Sequence, residues 1–324
     1  LRVNTGPNKI SRQLEMLNTQ QYLAMRHQAM ANDGITDPTI DKDAFVDLLV
    51  YDTTKYTNWA KKFFGGTSNN TDVYANVSGG SQNTTFLVST GYTRSVYNFP
   101  GDFSDQRMSL HSGVHHTSMN RRLNIDFGSD LSYNRNNSSS APGIAQALAL
   151  PPDHPDMIDA SGKLVWFYKG VDVSNDQMMA YLKKPFLLQA YTSNSSLRLS
   201  YQLLRGLNVG VGLGYSLVMT KEFGADPLGT QNPVKSPYSS ASSGRGDHQT
   251  VNVEPQMDYR RTIGKGVLSA LVGGTYKKVL SSYDRLDGQG YSDDALLHSI
   301  EAATSISASN SSSLYKYAGV FGRI

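Results

Sequence analysis

Apolar and polar residues alternate along several long stretches of this chain. In the stretch Leu207–Met219 every odd-numbered position is apolar, and the even-numbered positions are small or polar except for Val218. Successive side chains of a β-strand point to opposite faces, so this pattern predicts a long strand with one apolar face and one polar face. The same alternation occurs in the segments 108–114, 122–134 and 251–259.

The polar sides of these predicted strands carry several carboxylates, among them Asp126, Asp130, Glu254 and Asp258. Such charges are costly in a packed core but are tolerated in a water-filled lumen. The strands are also longer than the usual five or six residues of a globular domain. The pattern therefore favours a membrane-spanning barrel, with a soluble antiparallel sheet that has one wet face as the alternative.

The lengths of the connections support the barrel. Tight turns are predicted at 79–82, 119–121, 204–206 and 263–266. Between them lie long connections of about 10 residues near 98–105, about 50 across 135–185, about 25 across 221–248 and about 30 across 281–313. Outer-membrane barrels alternate short periplasmic turns with long extracellular loops in this way. We therefore expect an all-β fold, a partial antiparallel transmembrane β-barrel of about ten strands.

Two segments of the first long connection are predicted to be helical. Asn18–Asn32 has a capping residue at its start, apolar positions on one side and Gly34 just past its end. A second short helix is expected over 57–64, closed by two glycines. Both lie between a first strand at 1–10 and a second at 71–78. We expect their aromatic side chains to pack against the barrel rim.

Composition agrees with this interpretation. The 19 tyrosines and 29 glycines suit interfacial girdles and curved strands. The chain has no cysteine, which excludes a disulfide framework and a thiolate metal site. The mean hydropathy is −0.40, and no apolar run approaches the length of a membrane-spanning helix. The net charge of +3 is spread along the chain, so no nucleic-acid-binding surface is indicated.

Four motifs carry a resemblance to a known family. The stretch from Leu17 to Arg26 with Ala31-Asn-Asp-Gly34 resembles the helix that follows the plug domain in the SusC/RagA family of TonB-dependent outer-membrane transporters. Thr57-Asn-Trp-Ala-Lys-Lys-Phe-Phe-Gly65 is similar to that family's T-x-W-x-x-x-F-F stretch. The hairpin from Val77 to Tyr92 and the strand from Tyr315 to Ile324 resemble two further family motifs, in the family's order.

The resemblance implies a barrel of 22 strands around an N-terminal plug. It also implies import of glycan oligosaccharides or peptides with a SusD-like surface lipoprotein, powered by the TonB complex. The sequence given begins without methionine and ends inside a predicted strand. We therefore expect residues 1–324 to be the N-terminal part of the barrel domain, without the plug and the C-terminal strands. A passive porin-like barrel and a soluble carbohydrate-binding β-protein remain alternatives.

No residue is assigned a catalytic, cofactor-binding or metal-binding role. His111 and His115 share one strand face but lie roughly 13 Å apart, too far to share one metal ion. Asp153 and Asp156 flank His154-Pro155, and a rigid loop segment is preferred there over an acid–base pair. No paired nucleophile and base is present. We therefore expect a protein that is not an enzyme and has no cofactor.

Contact with a ligand or a partner is expected at aromatic residues of the long loops. An aromatic ring can stack on a sugar face, and apolar loop surface also suits a permanent protein partner. The alternative is that these rings pack the loops onto one another. The candidates are Trp166, Tyr168, Tyr181, Tyr283 and Tyr291.

Overall fold

The computed structural model describes residues 1–139 and 143–324. Ten long strands form one antiparallel sheet in which neighbours along the chain are neighbours in space. This confirms the predicted fold class and the expected number of strands. The sheet strands are β1 (Arg2–Lys9), β2 (Thr67–Gly80), β3 (Thr84–Val96), β4 (Ser104–Thr117), β5 (Leu123–Ser138), β8 (Phe186–Leu204), β9 (Leu207–Asp226), β10 (Ser240–Ile263), β11 (Gly266–Gln289) and β12 (Ser305–Arg323).

Short turns and long connections alternate as predicted. Short turns join β2 to β3, β4 to β5, β8 to β9 and β10 to β11. At the β8–β9 turn, Gly206 has a φ of +85°, and a Cβ there would lie 2.2 Å from the carbonyl oxygen of Arg260. Only glycine fits that position, which explains how a two-residue turn can approach the neighbouring strand so closely.

Cross-strand register gives the sheet two chemically different faces. On one face Phe127 lies opposite Leu197, which lies opposite Leu213. We call this side the apolar face. On the other side Asp126 lies opposite Arg198, and Gly212 lies beside both Arg198 and Glu254. We call this side the polar face.

Four strands extend further than the sequence indicates. The predicted connections 221–248 and 281–313 are wrong at their ends, because β9 continues to Asp226, β10 begins at Ser240 and β11 continues to Gln289. The last strand begins at Ser305 and not near Tyr315. Apolar alternation is weak in these outer segments because most positions on both faces are polar or small. The backbone ladder nevertheless continues, which a search for alternation does not detect.

Both predicted helices are present. Helix α1 (Thr19–Asn32) begins at Asn18, whose side chain accepts from the backbone of Gln21 while the Gln21 side chain accepts from the backbone of Asn18. This reciprocal pair is a capping box. No helix in the described part of the chain is long and apolar enough to cross a membrane. The remaining helices are α2 (Val46–Leu49), α3 (Trp59–Phe64), α4 (Ile144–Ala149) and α5 (Met178–Leu182); a small hairpin pairs β6 (Phe167–Tyr168) with β7 (Val171–Asp172).

The largest buried apolar cluster lies in the connections and not in the sheet. The first connection, between β1 and β2, packs against the connection between β5 and β8. We call these two packed connections the loop cap. The sequence predicted that the aromatic residues of α3 pack against the barrel rim. That prediction is wrong, because they pack against another connection. The buried cluster consists of Trp59, Phe63, Ala147, Leu150, Met157 and Met178.

Candidate functional site

A single row of polar-face residues crosses five strands of the sheet. His115 of β4 lies opposite Asp126 of β5, which lies opposite Arg198 of β8. Gly212 of β9 follows, and then Glu254 of β10. Adjacent strands lie about 4.8 Å apart, so this polar row spans about 19 Å. We treat it as the candidate site, because it brings basic and acidic groups together on one continuous surface.

Gly212 lies in the row between Arg198 and Glu254. Since Gly212 has no side chain, Arg198 and Glu254 are separated by bare backbone. Among the described residues no carboxylate lies within 4 Å of the Arg198 guanidinium. An open groove of about 530 Å³ occupies this part of the polar face, and its lining includes Asp126, Gly128, Arg198, Gly214, Asn252 and Glu254.

Two of the three histidines of β4 each have their own carboxylate partner. The Nδ1 of His111 lies 2.6 Å from Oδ1 of Asp130, and the Nδ1 of His115 lies 2.6 Å from Oδ1 of Asp126. Two separate pairs on one face are arranged for hydrogen bonding, not for sharing one metal ion. Within residues 1–139 and 143–324, no group of three or more His, Asp or Glu side chains is placed to hold a metal ion.

The loop cap contains a buried ionic network. The Arg26 guanidinium donates from Nε to Oδ2 of Asp47 at 2.5 Å and from Nη2 to Oδ1 at 3.0 Å. The Tyr22 hydroxyl donates to the same carboxylate at 2.8 Å. Burial and the Asp47 carboxylate raise the pKa of the Tyr22 phenol above its ordinary value. This network fixes α1 against α2.

The segment Asp153–Asp156 begins in the interior of the loop cap and ends at its surface, where Asp156 forms ion pairs with Lys55 and Lys62. Asp153 has no exposed surface, and neither carboxylate oxygen has a hydrogen-bond partner among the described residues. Burial raises the pKa of Asp153 to about 6. The neighbouring His154 donates from Nδ1 to the carbonyl of Pro155 at 2.8 Å, and burial lowers the pKa of its imidazole.

Three of the five predicted contact residues lie in the connection between β5 and β8. Tyr168 makes an edge contact with Tyr51, with ring centroids 6.1 Å apart, so it packs the two halves of the loop cap together. Tyr181 is exposed, and the ammonium of Lys184 lies 5.5 Å from its ring centroid. Trp166 is half-buried. Their role in ligand or partner contact stays a prediction.

The other two lie in a different part of the molecule. Tyr283 is a residue of β11, not of a loop, and its hydroxyl donates to the Glu222 carboxylate. Tyr291 is only 4 % exposed and packs with Ala241 and Leu297. The structure therefore does not bring the five aromatic residues into one cluster.

The sequence pattern did not single out Arg198, although it identified the polar-face carboxylates around it. In β8 the apolar face includes Ser193 and Ser195, so the alternation is too weak to orient the strand by itself. The register of β8 with β5 and β9 is needed to assign Arg198 to the polar face. As an arrangement of donors and acceptors on an open surface, the row can bind a polar ligand or a protein segment by hydrogen bonds and charge.

Comparison with solved structures supports the fold. Chains of the RagAB peptide importer match in its closed-closed state with a TM-score of 0.76 and in its open-open state with a TM-score of 0.74. In both comparisons the sequences are 18 % identical, and the match covers 99 % of this chain and 39 % of the RagAB chain. This chain therefore spans less than half the length of the proteins it matches.

No protein-family model matches the sequence, and no curated protein matches it. At this level of identity the structural likeness establishes the fold alone. The chain thus has the fold of part of the RagAB importer chain, in agreement with its resemblance to the SusC/RagA family.

Proposed function

We propose that this chain forms part of the wall of an outer-membrane importer. The observation that carries the proposal is the separation of charge between the two faces of the sheet. His115, Asp126, Arg198 and Glu254 share the polar face, while Phe127, Leu197 and Leu213 occupy the same level of the apolar face. Lipid would cover the apolar face, and the polar face would line the transport path.

We further propose that residues 1–324 are the first portion of a larger barrel domain. Among the described residues β1 pairs only with β2, and β12 pairs only with β11. Unpaired backbone groups are costly in lipid, so additional strands would be needed to close the wall. A plug and the later strands would belong to other parts of the protein.

The proposed activity is TonB-dependent import of nutrients together with a SusD-like surface lipoprotein. Glycan oligosaccharides and peptides are both candidate cargoes. The RagAB protein is described as a peptide importer, so peptides are the cargo to test first.

The test follows uptake of labelled oligopeptides and oligosaccharides by cells that produce the full-length protein. We expect uptake to require both this protein and TonB, and the protein to purify in detergent with a lipoprotein. Removing both charges with R198A/E254A should lower uptake about tenfold, because two charge-assisted contacts are lost. The matched apolar-face variant L199A/V253A, on the same two strands, should change uptake less than about twofold.

Other outcomes would point to the alternatives. Uptake that continues without TonB would indicate a passive pore. A monodisperse protein that stays in solution without detergent would favour a soluble carbohydrate-binding protein. It would contradict the proposal of an importer.

A further inference from the structure

A belt of long polar side chains crosses the apolar face near the outer ends of the strands. Arg94, Gln106, Arg135, Gln189 and Lys221 lie opposite one another in a single register row across β3, β4, β5, β8 and β9. On β10 the residue opposite Lys221 is Arg245. Closer to the short turn on the same face lie Gln249 of β10 and the directly opposed pair Lys278 and Lys316 of β11 and β12, where Lys278 is opposite Val251. Basic residues and glutamines alternate from strand to strand between Arg94 and Lys221. We call this set the basic belt.

The apolar face between the belt and the short turns is almost free of charge. Its positions on β3, β4, β5, β8, β9, β10, β11 and β12 hold no Asp, Glu, Lys or Arg except Arg261, at the lower end of β10. A tyrosine is the next apolar-face residue below the belt on four strands. These residues are Tyr92, Tyr133, Tyr191 and Tyr276. An uncharged band topped by tyrosines marks the edge of a hydrocarbon layer.

The height of the belt agrees with that boundary. Belt residues from Arg94 to Lys278 lie roughly 10 to 15 residues along their strands from the short turns, which is about 25 to 40 Å for a strand tilted by about 40°. The apolar band of an outer-membrane barrel is about 25 Å tall. The belt therefore lies where lipid headgroups begin, on the side of the long connections.

Most of these charges have no protein partner. Arg94 lies 3.7 Å from the Asp102 carboxylate. For Arg135, Lys221, Lys278 and Lys316, no carboxylate of the described residues lies within 4 Å, and none of the four side chains is buried. The first acidic residue on this face, Asp247, lies one apolar-face position beyond Gln249 and faces Arg245 at 3.6 Å.

We propose that the basic belt binds the phosphate groups of lipids in the outer leaflet. Guanidinium and ammonium groups bind phosphate by charge-assisted hydrogen bonds, and the glutamine amides between them can donate to headgroup oxygens. The apolar stems of arginine and lysine remain beside the hydrocarbon while their charged ends reach the headgroups. This inference rests on the proposed function, because it requires the apolar face to meet the membrane.

The test uses the full-length protein purified in a neutral detergent, with diphosphoryl lipid A as the probe in native mass spectrometry. The belt variant R135Q/K221Q/K278Q/K316Q removes four unpartnered charges. We expect it to bind the probe at least about tenfold more weakly than the parent protein. The matched control R107Q/R122Q/R198Q/K277Q removes four charges from the polar face or its lower edge and should bind the probe as the parent does. The charge-preserving variant R94K/R135K should also retain binding.

Folding and location are measured in parallel by heat-modifiable migration and by outer-membrane fractionation. A belt variant that is folded and located correctly but binds the probe as well as the parent protein would overturn the proposal. Equal binding of a phosphate-free lipid, or complete displacement of the probe by inorganic phosphate, would also overturn it. Absence of the parent protein from the outer membrane would instead contradict the proposed function, so the two failures are distinguishable.

Discussion

The loop cap and the sheet are stabilised in different ways. In the loop cap, Trp59 and Phe63 are almost fully buried and pack against residues of a distant connection. In the sheet, both faces remain largely open, and side chains such as Met108 and Tyr191 are exposed although they are apolar. The cap thus excludes water by packing, whereas the sheet is ordered mainly by its backbone ladders.

This difference indicates that the two regions are matched to different surroundings. In water, a folded chain is stabilised by burying apolar side chains in a packed core. In a bilayer, a barrel wall is stable when its lipid-facing side is uncharged, and its interior side can be polar and hydrated. Under the proposed function, the same chain combines a cap suited to water with a sheet suited to lipid. Substitutions in the cap should then change stability in aqueous solution, and substitutions on the apolar face should change stability in lipid vesicles.

The largest effect is expected in the core of the loop cap. Phe63→Ala should destabilise the cap by about 3–5 kcal/mol, because it removes a ring with no exposed surface and leaves a cavity. Hydrogen exchange in the full-length protein should show faster exchange in α3, α4 and α5, with β8 to β10 unchanged. The control Ile40→Ala removes a side chain that is 75 % exposed and should change exchange little. Equal loss of protection in the sheet would show that the two regions unfold as one unit.

The next effect tests the apolar face. Leu197→Arg should destabilise the barrel in lipid vesicles by about 2–4 kcal/mol, because Leu197 lies near the middle of the uncharged band, between Phe127 and Leu213. Ser196→Arg, on the adjacent polar face, should cost less than about 1 kcal/mol. Urea unfolding of the full-length protein in vesicles measures both variants. A cost for Ser196→Arg equal to that of Leu197→Arg would contradict the assignment of the faces.

The sequence was sufficient to predict the sheet where one face is apolar. Alternation located the parts of β4, β5, β9 and β10 that carry the uncharged band, because residues on that face must be apolar. It underestimated the strand segments beyond the band, such as Ser240–Gln249, where no such requirement acts. Helix α1 was predictable because its capping signals are local.

The candidate site and the loop cap were harder to predict for a different reason. The polar row depends on register between strands, so Arg198 and Glu254 are related only through Gly212 and not through any spacing in the chain. In the cap, Trp59 shares a cluster with Met157 and Met178, which lie about 100 and about 120 residues further along the chain. Such contacts come from chain topology, which periodicity alone does not specify.

The smallest effect concerns a buried carboxyl group in the loop cap. The pKa of Asp153 rises from about 3.9 in an unfolded chain to about 6, because its carboxylate is buried without a hydrogen-bond donor. Asp47 and Asp52 also raise it, and Arg26 opposes them. Asp153→Asn replaces the carboxylate with a neutral group of similar shape. We expect it to stabilise the cap by about 1–3 kcal/mol at pH 7.

The pH dependence separates this explanation from a simple packing effect. Because the folded-state pKa is raised, the stability associated with protonated Asp153 is fully present below pH 4 and is lost as the pH rises through about 6. The advantage of the Asp153→Asn variant should therefore grow between pH 4 and pH 6 and stay constant above that range. Hydrogen exchange in α3 and α5, corrected for the intrinsic effect of pH, measures it. A difference that did not vary with pH would mean that the Asp153 carboxylate has a compensating partner in solution.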